Sequence, residues 1–122
     1  MKILVIDDDE NYGGTLKEIL EESGYEVSQE VTGKEGVKRV KEDKKVGLVI
    51  LDLQLPDMTG FQVCQVIQKS RKDLPVIIMT GRFMELGEKL QGLELGAIEY
   101  LIKPVDINEL LAKMDTLLTV RK

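Results

Sequence analysis

Histidine is absent from the sequence, and cysteine occurs once, at Cys64. Without histidine no Ser-His-Asp or Cys-His nucleophile can be assembled, and one thiol alone cannot build a zinc site. An internal disulfide is excluded too, which points to a reducing compartment. Any metal must therefore be held by oxygen ligands, the preference of magnesium and similar hard ions. Positive charge is also scarce: 17 Lys and Arg face 22 Asp and Glu, a net charge of −5. Nucleic-acid binding needs a basic surface, so no direct contact with nucleic acid is expected. The N-terminal apolar run is too short for a signal peptide or a membrane span, and a cytoplasmic protein with no membrane partner is expected. Repeats, low-complexity segments and Pro/Gly/Ser-rich linkers are missing as well. The expectation is one domain over residues 1–122, with no effector domain in this chain.

What the sequence does contain is an alternation. Ile3–Ile6, Leu48–Leu51, Val76–Met79 and Tyr100–Ile102 are short apolar runs, most of them nearly pure aliphatic, as in strands buried on both faces. Tyr25–Val31 mixes polar residues into a loose alternation and reads as an edge strand. Between them lie helical stretches at Asn11–Ser23, Lys34–Lys44, Gly60–Lys69, Met84–Leu95 and Asp106–Leu118. Gly24 follows the first of these as a helix stop, and Asp9 precedes it as a cap. Five β-α units in series predict an α/β fold: a doubly wound five-stranded parallel sheet with five helices on its two faces. Gly87 and Gly92 weaken the fourth helix, each by roughly 0.8–1 kcal/mol relative to Ala. That helix, with Phe83, Met84 and Leu86 as apolar groups near it, is expected to be the loosest element and an output surface.

Ligands of such sheets bind beyond the carboxyl ends of the strands. The first run is followed by Asp7-Asp8-Asp9-Glu10, the third by Asp52, the fourth by Thr80 and the fifth by Lys103-Pro104. Carboxylates gathered in one place repel unless a cation is present. With a divalent ion and Lys103 to offset charge, Asp52 can act as a covalent carboxylate nucleophile toward a phosphoryl group, and Thr80 can donate a hydrogen bond to it.

The segments KILVIDDDE, VILDLQLPDMTGFQV, PVIIMTG and GAIEYLIKPVD resemble the receiver domain of bacterial two-component response regulators, over essentially the whole chain. The resemblance implies the flavodoxin-like (CheY-like) strand order 2-1-3-4-5. It implies that Asp52 is the phosphoacceptor, followed by Pro56 and Gly60 in the DxxxPxxxG spacing, and that Asp7 and Asp8 are the acidic pair. It implies Mg2+, or Mn2+ in its place, held by Asp8, Asp52 and the backbone carbonyl of Gln54, with Asp7 acting largely through water. Thr80 and Lys103 become catalytic, Thr80 and Tyr100 the switch pair, and the Lys103–Pro104 bond cis. The donor would be a partner histidine kinase or histidine phosphotransfer protein. The output partner is left open. The response would appear on the face made by the fourth helix, fifth strand and fifth helix, where a phosphorylation-dependent homodimer could form. The segment from Thr80 to Lys103 is about one residue longer than such domains have, with the extra residue placed near Arg82–Glu85.

Three other readings compete. A phosphatase of the haloacid-dehalogenase type also has an Asp nucleophile, but it needs a second Asp two residues on. Gln54 stands there and cannot donate and regain a proton. A flavodoxin-type ligand module needs a Gly/Ser/Thr-rich phosphate loop where this chain has four acids. A receiver-like domain that takes no phosphate would have lost some of Asp52, Lys103 and the acidic pair. Each residue also has a plainer reading: Lys103 as a solvated lysine, Thr80 as an ordinary strand residue, Tyr100 as a half-buried edge aromatic. Cys64, on an apolar face with Phe61 and Ile67, reads as core.

Overall fold

A strand with no polar position on either side needs cover on both faces, and the sheet is built around three of these. The structure, a computed structural model, describes residues 1–81 and 99–120. Five strands are described: β1 (Lys2–Ile6), β2 (Glu26–Glu30), β3 (Val46–Asp52), β4 (Val76–Thr80) and β5 (Glu99–Ile102). They form one parallel sheet in the order β2-β1-β3-β4-β5. The described helices are α1 (Glu10–Glu22), α2 (Gly33–Glu42), α3 (Gly60–Ser70) and α4 (Ile107–Val120). The fourth predicted helical stretch, Met84–Leu95, lies outside the described residues, with Gly87, Gly92, the Phe83/Met84/Leu86 group and the Arg82–Glu85 loop.

Strand alternation divides the core into two layers. Leu4, Ile6, Val49, Leu51, Val76 and Ile78 point to one side and pack with Val40 of α2 and Val63, Cys64 and Ile67 of α3. Ile3, Val5, Leu48, Ile50, Ile77 and Met79 point to the other and pack with Leu16 and Leu20 of α1 and Leu110 and Met114 of α4. Cys64 is fully buried, and burial pushes its thiol up to about 12, as suits a packing residue. β2 lies at the sheet edge, as its polar residues predict.

The helix ends follow local hydrogen-bond chemistry. The Asp9 carboxylate accepts from the Asn11 and Tyr12 N–H groups, so α1 begins at Glu10, one residue earlier than its apolar pattern suggests. Gly24 sits at φ 100, a left-handed conformation that suits glycine. α2 stops at Glu42, short of the predicted Lys44. Asp43 turns out of the helix, where its carboxylate meets the Lys2 ammonium on β1 and accepts from Lys45 N–H. That lysine contact and the backbone bond hold the Asp43 carboxyl below the usual range.

Two glycines in helices should respond oppositely to the same change. A Cβ on Gly36 of α2 would collide with the Ile6 side chain of β1, whereas one on Gly14 of α1 would have only Gln29 Oε1, at 4.0 Å. Gly14→Ala should stabilise the domain by about 0.5–1 kcal/mol through helix propensity. Gly36→Ala should destabilise it by about 1–3 kcal/mol, because overpacking outweighs the same gain. Urea unfolding of the two variants beside the wild type measures both signs.

Candidate functional site

The chain runs outward from β1 to β2 and then crosses back to β3, so the strand order reverses between β1 and β3. A crevice opens at such a reversal, outside the carboxyl ends of the strands. Asp7 comes one residue after β1, Asp52 ends β3, Thr80 ends β4, and Lys103 comes one residue after β5. Registers that pair Ile6 with Leu51, Asp52 with Met79 and Thr80 with Ile102 bring these ends level.

The Asp7 side chain is fully buried, and that of Asp52 is 12% exposed. One cation stands between them: Lys103 Nζ lies 2.7 Å from Asp7 Oδ2 and 3.3 Å from Asp52 Oδ2. The Asp7 contact is an ion pair by distance without hydrogen-bond alignment, so Asp7 Oδ2 keeps unused acceptor capacity. The other Asp7 oxygen accepts the Asp9 N–H at 2.9 Å. Asp8 is exposed at the mouth. Carboxylate oxygens of Asp7, Asp8 and Asp52 lie within 4.8 Å of one another, close enough to share one ion. A hard divalent cation fits this set: all donors are oxygens, and one buried acceptor has no hydrogen-bond partner.

The electrostatics lean the same way. Burial raises the Asp52 carboxyl above the usual range, with Asp7 adding to the rise and Lys103 opposing it. Lys103 has its own desolvation against it, yet its two carboxylate partners raise it overall.

The loop after Asp52 is held from several sides. Gly60 N–H donates to Leu53 O, and a Cβ at Gly60 would stand 2.9 Å from Leu53 Cα and 3.0 Å from Asp52 O. Only a glycine lets α3 approach the Asp52 backbone so closely, which gives the Asp52–Gly60 spacing a steric cause. Thr59 and Gln62 form a reciprocal capping box on α3. Asp57 accepts the Gly33 and Lys34 N–H groups at the start of α2, so the loop also caps a neighbouring helix. Gln54 N–H approaches Asp52 Oδ1 at 3.4 Å, a long contact.

Comparison with known proteins yields one family. The family model described as the response regulator receiver domain matches residues 3–115. The chain belongs to that family.

Among curated relatives of this receiver domain is the alkaline phosphatase synthesis transcriptional regulatory protein PhoP of Bacillus subtilis. It is 37% identical over 117 residues, covering 96% of this chain and 48% of that protein. The chain spans about half the length of the curated relatives it matches. A CheY-like receiver domain protein from Methanospirillum hungatei superposes with TM-score 0.88 at 34% identity, covering 95% of this chain and 92% of that one. A response regulator from Burkholderia pseudomallei, described with a phosphorylated aspartic acid, a calcium ion and citrate, superposes with TM-score 0.83 at 31% identity. It covers 91% of this chain and 64% of that one.

The receiver's remaining predicted residues are placed as follows. Lys103–Pro104 is a cis peptide bond, and Thr80 O accepts the Lys103 N–H at 2.8 Å. Thr80 is 3% exposed. Tyr100 is half-buried against the layer containing Cys64, and burial pushes its hydroxyl up to about 12. The sequence reading missed Tyr12. Its ring lies under Lys103, with Nζ 4.8 Å from the ring centroid, and its hydroxyl accepts the Val105 N–H at 2.9 Å. The one signal for it was an aromatic with a polar tip in the first turn of α1. Asp57 was missed too, because the helix it caps begins 24 residues away.

Two outcomes follow for the domain without divalent ions. A carboxyl whose folded pKa is raised costs stability above that pKa, and the cost vanishes as pH falls below the unfolded value. Asp52→Asn should therefore melt higher than the wild type at neutral pH, and the gap should close as pH falls through the raised Asp52 value into the ordinary carboxylate range. Thermal melts across that range measure it; a gap that widens on acidification contradicts the assignment. Magnesium should raise the melting temperature of the wild type by binding the native state. Asp8→Ala should lose most of that rise, and an unchanged rise would remove Asp8 from the ligands.

Proposed function

We propose that Asp52 is the phosphoacceptor of this receiver domain and that its phosphorylation is the switching event. The observation that carries this is the sharing of one lysine by Asp52 and the buried Asp7, with Asp8 beside them. A buried carboxylate is a competent nucleophile only where positive charge meets the incoming phosphoryl oxygens. The Burkholderia pseudomallei response regulator, with its phosphorylated aspartic acid and calcium ion, supports the reading.

Asp7, Asp8 and Asp52 side chains, together with the Gln54 backbone carbonyl, would hold Mg2+, which when bound supplies charge neutralisation at the phosphoryl oxygens. A carboxylate oxygen of Asp52 attacks phosphorus, and the bond from phosphorus to the donor nitrogen breaks, leaving an acyl phosphate on Asp52 and an imidazole on the donor. Lys103 offsets the charge brought in, and the Thr80 hydroxyl donates to a phosphoryl oxygen. With no histidine of its own, the chain takes the group from a partner histidine kinase or histidine phosphotransfer protein. Thr80 and Tyr100 act as the switch. They stand on adjacent strands at even spacing from Ile78 and Ile102, so both point to the layer of α2 and α3. Motion of Thr80 toward the phosphoryl group would open room for the Tyr100 ring. Among the described residues no helix is long and apolar enough to cross a membrane. The Bacillus subtilis relative is described as a transcriptional regulatory protein, and an output of that kind would come from a further domain or partner.

Incubated with magnesium and acetyl phosphate, the wild type should gain the mass of one phosphoryl group, and Asp52→Asn should gain none. Labelling that persists in Asp52→Asn would move the acceptor elsewhere. Thr80→Ala should still be labelled but show smaller chemical-shift changes along β5. Equal changes in the two proteins would disconnect Thr80 from Tyr100.

A further inference from the structure

A lysine on a four-carbon stem can leave a strand end for solvent, so its placement needs a cause. Two aspartates attract it from one side, Asp7 Oδ2 at 2.7 Å and Asp52 Oδ2 at 3.3 Å. On another side lies Tyr12, with its ring centroid 4.8 Å from Nζ. The negative face of an aromatic ring attracts an ammonium, more strongly where water is excluded. The Tyr12 hydroxyl also reaches the chain just past the lysine. Pro104 has no N–H, so Val105 supplies the first backbone donor after Lys103, and Tyr12 accepts it at 2.9 Å.

Tyr12 is itself tied to the acidic loop. Its N–H donates to Asp9 Oδ1 at 3.1 Å, and the Asp9 N–H donates to Asp7 Oδ1 at 2.9 Å. A continuous path thus joins Asp7, Asp9, Tyr12 and Val105, and it connects segments 93 residues apart.

We propose that Tyr12 is the positioning residue of Lys103: its ring and hydroxyl hold the ammonium over Asp7 and Asp52 in the charge-neutralising place that phosphorylation requires. The catalytic part of this inference rests on Asp52 being the phosphoacceptor; the placement of Lys103 does not. The Tyr12 side chain acts on Lys103 through its ring and on Val105 through its hydroxyl, while its link to the acidic loop runs through its backbone N–H. A merely structural Tyr12, one more aromatic of the α1 layer, would leave the kinetic coupling to Lys103 described next untouched; the lysine signal reports that the ring and the ammonium are in contact.

The test uses the full chain labelled with ¹³Cε lysine, with the Lys103 signal assigned by its loss in Lys103→Ala. In the wild type the Tyr12 ring current should displace that signal from those of exposed lysines. Tyr12→Leu should return it toward them, and Tyr12→Phe, which keeps the ring, should retain most of the displacement. With acetyl phosphate and magnesium, Tyr12→Leu should be phosphorylated about tenfold more slowly, the combined scale of a ring contact and a hydrogen bond. Tyr12→Phe should fall between, and the magnesium concentration at half-effect should be unchanged in both. Lys103→Ala combined with Tyr12→Leu should be no slower than Lys103→Ala alone. A Lys103 signal unmoved in Tyr12→Leu, or slowing that multiplies in the double variant, overturns the proposal. If Tyr12→Leu does not fold, the loss of the hydroxyl in Tyr12→Phe decides: a wild-type phosphorylation rate then overturns it. Should the wild type accept no phosphoryl group while the Lys103 signal still follows Tyr12, the acceptor reading fails and the placement of Lys103 stands.

Discussion

Two buried carboxylates at the ends of adjacent strands set the terms for the rest of the molecule. Asp7 is fully buried and Asp52 nearly so. Charges removed from water interact strongly and tolerate an uncompensated partner poorly. Lys103 is one positive charge against these two carboxylates and a third at Asp8. Among the described residues the rim is therefore short of positive charge. A second cation relieves the shortage, and so does protonation of Asp52, whose pKa is raised mainly by burial, with Asp7 adding to the rise and Lys103 opposing it. The sequence is uncommonly free of competing solutions, since it has no histidine to bind at the rim.

Such a cluster persists because the sheet beneath it is over-determined. β1, β3 and β4 are apolar on both faces, and side chains on alternating positions lock into separate layers with α2 and α3 on one side and α1 and α4 on the other. A slip of one residue in any of these strands would exchange its two sets of side chains and displace the aspartate at its end. The loop from Leu53 to Thr59 is pinned through Gly60, the Thr59 box and the Asp57 cap on α2. Stability gained in apolar layers thus offsets a costly arrangement at the strand ends.

How much of this was legible in the sequence depends on the range of the interaction concerned. Strands were readable because double burial writes an apolar run directly into the chain, as at Ile3–Ile6 and Leu48–Leu51. The edge position of β2 was readable from its polar residues. The rim residues were readable because each directly follows or ends such a run, and topology then brings the ends together. The end of α2 was not, because Asp43 leaves the helix in favour of Lys2, 41 residues away. Tyr12 was hidden for the same reason, since its hydroxyl partner is 93 residues distant and the contact is with backbone, which carries no side-chain signal. Local chemistry shows in a sequence; a side chain that serves a remote backbone group does not.

The same long-range ties give the rim a mechanical route into the fold. Lys103 follows Ile102 at the end of β5, and its N–H is held by Thr80 O at the end of β4. On the proposed phosphorylation of Asp52, a change in the charge that Lys103 balances would pull on β5 through the side chain, and any movement of Thr80 would act on the neighbouring strand. Tyr100 lies three residues back along β5 and is only half-buried, packed against the α2/α3 layer. Its displacement costs less than that of a fully packed residue such as Ile78. The tightly packed strands β1 and β3 resist displacement, whereas β5, at the opposite edge of the sheet from β2, has only Leu101 buried among its four residues, so a charge event between Asp7 and Asp52 would be taken up more readily there.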